Sequence, residues 1–309
     1  MKVGSKSVTA LIVTYNRVDL LKECIKAVST QKYNVNHIIV IDNNSSDGTR
    51  EYLDALSIEG LIIRHLKNNI GGSGGFYEGM MIFGKELKDD YIWIMDDDTI
   101  PNSNSLMELG KTWNKISDFG FLASNVRWRD GRPAVMNVPS IDPDNWSLTA
   151  EQGSNDFYPR VVSASFVSLL IPRNIILDEG LPYKEFFIWE DDAEYTYRIS
   201  RKYNCYFVPK STVTHKTKQN IGVNIISEDA SRLNRYFYLY RNKTFRMRKE
   251  HGEKKFKALG RIGIEYTRVL FGRRINDKSK KLRVMSKGIA KGMFFNPKIR
   301  YISNRKANQ

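Results

Sequence analysis

The sequence predicts an α/β fold on a mainly parallel sheet, followed by a basic and mainly helical C-terminal extension. Three observations predict it. Short apolar or β-branched runs alternate with segments of helical period through the first hundred residues, and each run is followed by a polar cluster. The positive charge of the chain is concentrated past residue 240. At 309 residues the chain can bury a sizeable core, as one large domain with an appendage or as two modest domains.

Residues 8–15, 37–43, 61–66 and 91–95 read as strands, and the last is apolar throughout, as befits a strand covered on both faces. Leu20, Leu21, Cys24, Ile25 and Val28 share one helical face between the first two. Strand, helix and strand in this order imply right-handed crossovers, with ligands beyond the carboxyl ends of the strands. The polar residues stand there: Thr14, Tyr15, Asn16 and Arg17, then Asp42 to Gly48, then Asn68 to Gly75, then Asp96, Asp97 and Asp98.

Residues 126–160 are rich in Pro, Gly, Asp, Asn and Trp without a sustained period, which predicts an irregular excursion with some hairpin character. Residues 161–171 form a second apolar run, Leu181 and Pro182 a turn, and residues 189–198 the start of a helix. Residues 205–213 read as a further strand leading to His215. Ser227 with Glu228 and Asp229 has the composition of a helix N-terminus, for a long aromatic and basic helix through Lys249. The expected division is a catalytic domain over 1–226 and a basic helical region over 227–309 packing on it. There is no internal repeat and no low-complexity segment.

Three carboxylates at one strand end oppose each other's ionisation, and a divalent cation held by alternate ones relieves the repulsion. That implies a metal-bound diphosphate; a solvated acidic turn is the plainer reading. The glycine-rich stretch 71–75 opens a helix and would let backbone approach a ribose or phosphate, although it matches no nucleotide-binding consensus. Asp42 to Gly48 equally suits a local Asx-type turn. Glu190, Asp191, Asp192 and Glu194 lie beside Phe186, Phe187 and Trp189. Desolvation by aromatic neighbours raises a carboxylate's basicity, which suits a general base; a charged helix start favoured by the helix dipole is the alternative. His215, taken alone, reads as a structural histidine before a ligand.

The net charge is +15, yet from Arg241 onward 22 Lys and Arg face 4 Asp and Glu, a local +18 that leaves −3 for residues 1–240. Such a tail fits nucleic acid, an anionic membrane surface or an acidic protein. Its basic residues alternate with Phe245, Phe256, Leu259, Ile262, Ile264, Tyr266, Val269, Leu270 and Phe271, a mixture that suits one or two interfacial helices on anionic lipid. A basic helical cap with a solvated face is the alternative. Cys24 and Cys205 form neither a disulfide framework nor a metal-ligand spacing. No signal peptide is visible, and no run approaches the ~20 apolar residues of a membrane span. The expected location is cytoplasmic, peripheral at the inner face of the cell membrane.

Taken in order, residues 11–17, 41–49, 69–72 and 96–98 resemble the motifs of the GT-A glycosyltransferases of family 2, whose Rossmann-like fold handles nucleotide-diphospho-sugars. Trp189 to Glu194 with the later His215, and Arg241 with Asn242 after the aromatic helix, make the chain similar to bacterial galactofuranosyltransferases and the rhamnosyltransferases beside them. The resemblance covers residues 8–245. It implies inverting transfer from a nucleotide-diphosphate donor to a hydroxyl of a lipid-linked cell-surface glycan. It also implies that Asp42, with the turn at Thr14, holds the uracil or thymine and ribose, and that Asn16, Arg17, Asn44, Asn69, Gly71, Gly72 and Asp97 complete the donor set. Asp96 and Asp98 would bind Mn²⁺ or Mg²⁺ with His215 as a further ligand. Asp192, or else Asp191, would take the acceptor's proton, and Trp189, Asp191 and Glu194 would order the acceptor. UDP-galactofuranose is the expected donor and dTDP-rhamnose the alternative.

Two other classes compete. A nucleotidyltransferase would carry a Gly-rich loop bearing Lys or Arg near the amino terminus, and residues 14–17 are not that. A nucleic-acid-binding module is suggested by the basic tail with Tyr236, Phe237, Tyr238 and Tyr240. Upstream acidic clusters repel phosphates that lack a metal, and consecutive aromatics on a helix are more often core, so nucleic acid is not an expected partner. The oligomeric state is not legible.

Overall fold

The computed structural model describes residues 6–143 and 158–302, which divide into two compact units. The first comprises the chain up to Lys184, Asp192–Ile221 and the residues from Ile299; the second comprises Glu185–Asp191 and Gly222–Lys298. The units meet in the chain between Ile221 and Gly222, and the segment 185–191 goes with the helical unit. Residues 144–157 of the excursion expected over 126–160 lie outside the described residues.

In the first unit β1 (Val8–Thr14), β2 (His37–Asp42), β3 (Leu61–His65) and β4 (Tyr91–Asp96) are connected by α1 (Val18–Ser29), α2 (Thr49–Asp54) and α3 (Gly71–Glu86). Their pairings are parallel, in the order β3-β2-β1-β4. The chain continues through β5 (Thr99–Pro101), α4 (Ser105–Lys115), β6 (Leu122–Trp128), β7 (Ser140–Ile141), β8 (Val161–Ser163), β9 (Leu169–Pro172), α5 (Arg173–Glu179), α6 (Asp191–Ser200) and β10 (Tyr206–His215). The full sheet runs β3-β2-β1-β4-β9-β6-β10-β5, and β7 and β8 form a separate ribbon. Every residue of β1 is buried, because side chains alternate between two apolar layers: Leu11 and Val13 on the side of α3, Val8, Ala10 and Ile12 on the side of α1 and α4.

The apolar run 161–171 is two strands. Ser168 separates them with φ +62°, and it is pinned there by accepting from Trp93 Nε1 (2.9 Å) and donating to Ser124 Oγ (2.7 Å). A non-glycine residue in the left-handed region needs such local compensation. β10 reaches His215 only after a register shift between Val208 and Thr212, a stretch that contains Pro209, which lacks a backbone donor.

The second unit holds α7 (Asn234–Lys249), α8 (Gly252–Phe271) and α9 (Lys278–Phe294). The helix start expected at Ser227 is a single 3-10 turn over Ala230–Arg232, where Asp229 accepts from Ser231 N (2.9 Å); α7 begins only at Asn234. α9 approaches α7 closely because Gly288 and Gly292 face its backbone, where any Cβ would meet Phe237 O or Arg241 O. Tyr236 and Tyr240 are buried with Leu239, Met247, Ile262, Val269 and Met285. These two tyrosines are core residues, whereas Phe237 and Tyr238 are half-buried.

Candidate active site

β9 runs antiparallel to both β4 and β6, and β10 is parallel to β6. The carboxyl ends of β1, β2, β3, β4 and β10 therefore point to one edge, where Thr14, Asp42, His65, Asp96 and His215 end their strands. β5 returns antiparallel to β10 with Thr99 opposite His215, and Lys216 N donates to Asp98 O (2.8 Å). That pairing carries Asp98 to the histidine.

The three consecutive carboxylates have different neighbours. Asp97 accepts from Thr14 Oγ1 (2.8 Å), Arg17 Nη1 (3.1 Å) and Tyr15 N (3.4 Å). Asp98 accepts from Arg17 Nη1 (2.7 Å) on one oxygen and faces His215 Nε2 (3.0 Å) with the other. Asp96, Asp98 and His215 each offer one ligand atom within 4.8 Å of the others. His215 Nδ1 lies against Asn137 Oδ1, and Asn137 Nδ2 donates to Ser165 Oγ (2.9 Å). Asn137 had no signal in the sequence, since it sits in a short 3-10 turn of the irregular excursion.

Loss of water pushes Asp96 up to about 7, with repulsion from Asp98 adding to it. Loss of water likewise pushes Asp97 to about 6, against the pull of Arg17. Asp98 stays below the usual range although burial acts upward, because His215 and Arg17 hold its charged form. His215 is raised although burial acts downward, because Asp98 holds its proton. Two carboxylates, one of them short of compensating charge, together with an imidazole make an oxygen and nitrogen set that fits Mn²⁺ or Mg²⁺.

Along the same edge Asp42 is fully buried. Its oxygens engage Ser45 N (2.9 Å) and His65 Nδ1 (2.8 Å), and His65 Nε2 reaches Asp54 Oδ1 (3.1 Å). His65 is a residue that sequence reasoning missed; its only signal was the end of the third strand run. Asn16, left-handed at φ +53°, donates from its N to Ser45 Oγ (2.9 Å) and accepts from Ser46 N (2.7 Å). Asn44 is left-handed and exposed. Asn69 accepts from Gly71 N (2.8 Å), while Asn43 ties β2 to α3 through Ile70 N and Gly71 O. Within 71–75, Gly71 is buried with φ +78°, and Gly72 has open space around a Cβ. Gly74, Gly75 and Gly79 instead let α3 pack on Ile70, Val13 and Leu11.

The second acidic cluster follows a strained segment. Phe187, Trp189 and Glu190 all have positive φ (67°, 63° and 68°). Asn242 Nδ2 donates to Phe186 O (3.0 Å), Ile188 O (3.3 Å) and Trp189 O (2.9 Å), and Arg241 Nη2 to Glu185 O (2.6 Å) and Phe186 O (3.0 Å). Phe187 stacks on Tyr238, and Trp189 meets Tyr236 edge to face. Glu190 pairs with Arg246, and Glu194 with Arg198 (3.0 Å), which also holds Glu179 O and Leu181 O. Glu190 and Glu194 are thereby bound to arginine. Asp191 is buried at the start of α6, and Asp192 Oδ1 accepts from Ala193 N (2.7 Å).

The family model described as Glycosyl transferase family 2 matches residues 9–153. Galactofuranosyltransferase GlfT1 of Mycolicibacterium smegmatis is 33% identical over 211 residues, which cover 63% of this chain and 65% of that protein. Poly-beta-1,6-N-acetyl-D-glucosamine synthase of Staphylococcus aureus is 24% identical over 176 residues, 57% of this chain and 42% of that one. The chain thus spans less than two thirds of the length of these relatives. The crystal structure of GalNAc-T7 with UDP, GalNAc and Mn²⁺ superposes with a TM-score of 0.62 at 15% identity, over 95% of this chain and 57% of that chain. At that identity the likeness is one of fold, and the fold is GT-A.

Proposed function

We propose that this chain, which carries a glycosyl transferase family 2 domain over residues 9–153, is an inverting, metal-dependent glycosyltransferase. The donor in this reading is UDP-galactofuranose, and the acceptor a hydroxyl of a lipid-linked cell-surface glycan. The convergence of Asp96, Asp98 and His215 at the strand ends carries the reading, and the likeness to a galactofuranosyltransferase supports the donor.

Asp96, Asp98 and His215 would hold the ion, which when bound neutralises a diphosphate leaving group. Arg17, spanning Asp97 and Asp98, fixes the acidic turn to β1. Asn16, Asn44, Asn69, Gly71 and Gly72 would line the donor, with Asp42 acting from beneath through the loop it holds. Inversion needs a base on the sugar face opposite the leaving group, and Asp192 is assigned that proton, with Asp191 as the second candidate. Trp189 and Glu194 would shape the acceptor side, Glu194 through Arg198.

The test is a donor panel with Mn²⁺, followed by mass spectrometry. Consumption of UDP-galactofuranose that stops in excess chelator is expected. Consumption of dTDP-rhamnose alone would reverse the donor, and undiminished turnover in chelator would remove the metal from the reaction.

A further inference from the structure

α8 carries an apolar stripe that the rest of its unit leaves uncovered. Phe256, Leu259, Ile264, Leu270 and Phe271 are exposed, Phe256 and Phe271 at 73% and 76%. Gly260 and Gly263 fall between them with open space at a Cβ. These positions follow the three- and four-residue steps of one helical face. The single polar residue among them, Thr267, turns its hydroxyl back to Ile264 O (3.1 Å). A different face of α8 does the packing, through Ile262 and Val269.

Lys257, Arg261 and Arg268 are exposed along one border of the stripe, and Arg273 and Arg274 follow its end. The helix has 20 residues, enough in length to cross a bilayer, but its charged residues forbid that, and no helix among the described residues is long and apolar enough to do so. A large apolar face with a basic border is the pattern of a helix lying in the plane of a lipid interface. Glu253 offsets the charge of Lys257 by pairing with it, whereas Glu265 is paired with Lys243 of α7, away from Arg261 and Arg268. A second copy of the chain laid on the stripe would set basic borders against each other, whereas anionic headgroups complement them.

We propose that the Phe256–Phe271 face of α8 is the docking surface of this chain for an anionic lipid bilayer, its aromatic and aliphatic side chains entering the headgroup boundary. The proposal goes beyond the transferase reading and does not depend on it. The test is co-sedimentation of the full chain with vesicles of phosphatidylglycerol and phosphatidylcholine, and with phosphatidylcholine alone. Circular dichroism checks folding, and donor turnover measured alongside keeps the two readings apart. Binding to the anionic vesicles that weakens at high salt is expected. A Phe256→Ser/Leu259→Ser/Phe271→Ser variant should bind about tenfold or more weakly while remaining folded, and Arg261→Glu/Arg268→Glu should weaken binding to anionic vesicles by about tenfold. Full-length protein left in the supernatant at low salt, or a folded triple variant that binds like wild type, would overturn the proposal. So would a dimer in sedimentation equilibrium that the triple variant dissolves, since the stripe would then be covered by a second copy.

Discussion

His215 Nδ1 lies 2.8 Å from Asn137 Oδ1, while Nε2 of the same ring lies 3.0 Å from Asp98 Oδ1. The amide oxygen only accepts, so Nδ1 carries a proton and Nε2 is the atom left for an ion. Asn137 is in turn held by Ser165. Partners behind a ligating histidine fix its ring orientation, and removing one weakens metal affinity by about 10- to 100-fold. Asn137→Ala should therefore lower Mn²⁺ affinity within that range, read by the paramagnetic resonance of free Mn²⁺. Unchanged affinity would make Asn137 a bystander.

Metal binding should also depend on pH, with a defined sign. Asp96 sits at about 7 without a cation and must be ionised to bind one. His215, also raised, must release its Nε2 proton. Both requirements weaken Mn²⁺ binding as pH falls, that of Asp96 through about 7, and both release protons when the ion binds. Calorimetric titrations at pH 6 and pH 8 should show the weaker affinity at pH 6; equal affinities would contradict the assignment.

Asp192→Asn keeps the shape of the side chain and removes its basicity. Turnover should fall by about 10²-fold or more with donor binding nearly unchanged, and Asp191→Asn should cost less. The comparison requires kcat and donor affinity for both variants. A larger loss in Asp191→Asn would move the base to that residue.

Asn242 is fully buried and donates to three carbonyls of a segment in which Phe187, Trp189 and Glu190 occupy the left-handed region. Asn242→Ala leaves the carbonyls of Ile188 and Trp189 without this donor, while Phe186 O keeps Arg241, at a cost of about 1–3 kcal/mol for each buried polar group left unsatisfied. Urea denaturation should show the shift. The backbone leads from that segment directly into Asp191 and Asp192, so turnover should fall as well.

Gly79→Val should destabilise the fold by about 1–3 kcal/mol, because its Cβ would collide with Leu11 where α3 rests on β1. Gly72→Ala, with open space around it, should leave the unfolding midpoint nearly unchanged. Comparable destabilisation by both would remove the distinction between packing glycines and those open to a ligand.

The strand ends were legible because periodicity and polar punctuation are local, and Thr14, Asp42, Asp96 and His215 end their strands as the pattern implied. Their assembly was not. Asp98 meets His215 through the antiparallel return of β5, a pairing of residues more than a hundred positions apart that no periodicity reports. Local composition also misled at Ser227, where Asp229 caps a 3-10 turn instead of opening the long helix. Within 71–75 the glycines looked alike, although packing against Ile70 and Val13 accounts for Gly74 and Gly75. The pairing of Glu190 with Arg246 was hidden because its partner lies far along the chain.

The loops after β1 and β2 are joined by Asn16 with Ser45 and Ser46, and by Asp47, which accepts from Val18 N (3.0 Å) at the start of α1. Folding has already removed the conformational entropy of this pair of loops. A ligand seated against them loses mainly its own freedom, so affinity at this end should respond to the ligand's rigidity more than to changes in loop length elsewhere. The two loops should also exchange their amide hydrogens as one cooperative unit, opening together rather than one at a time.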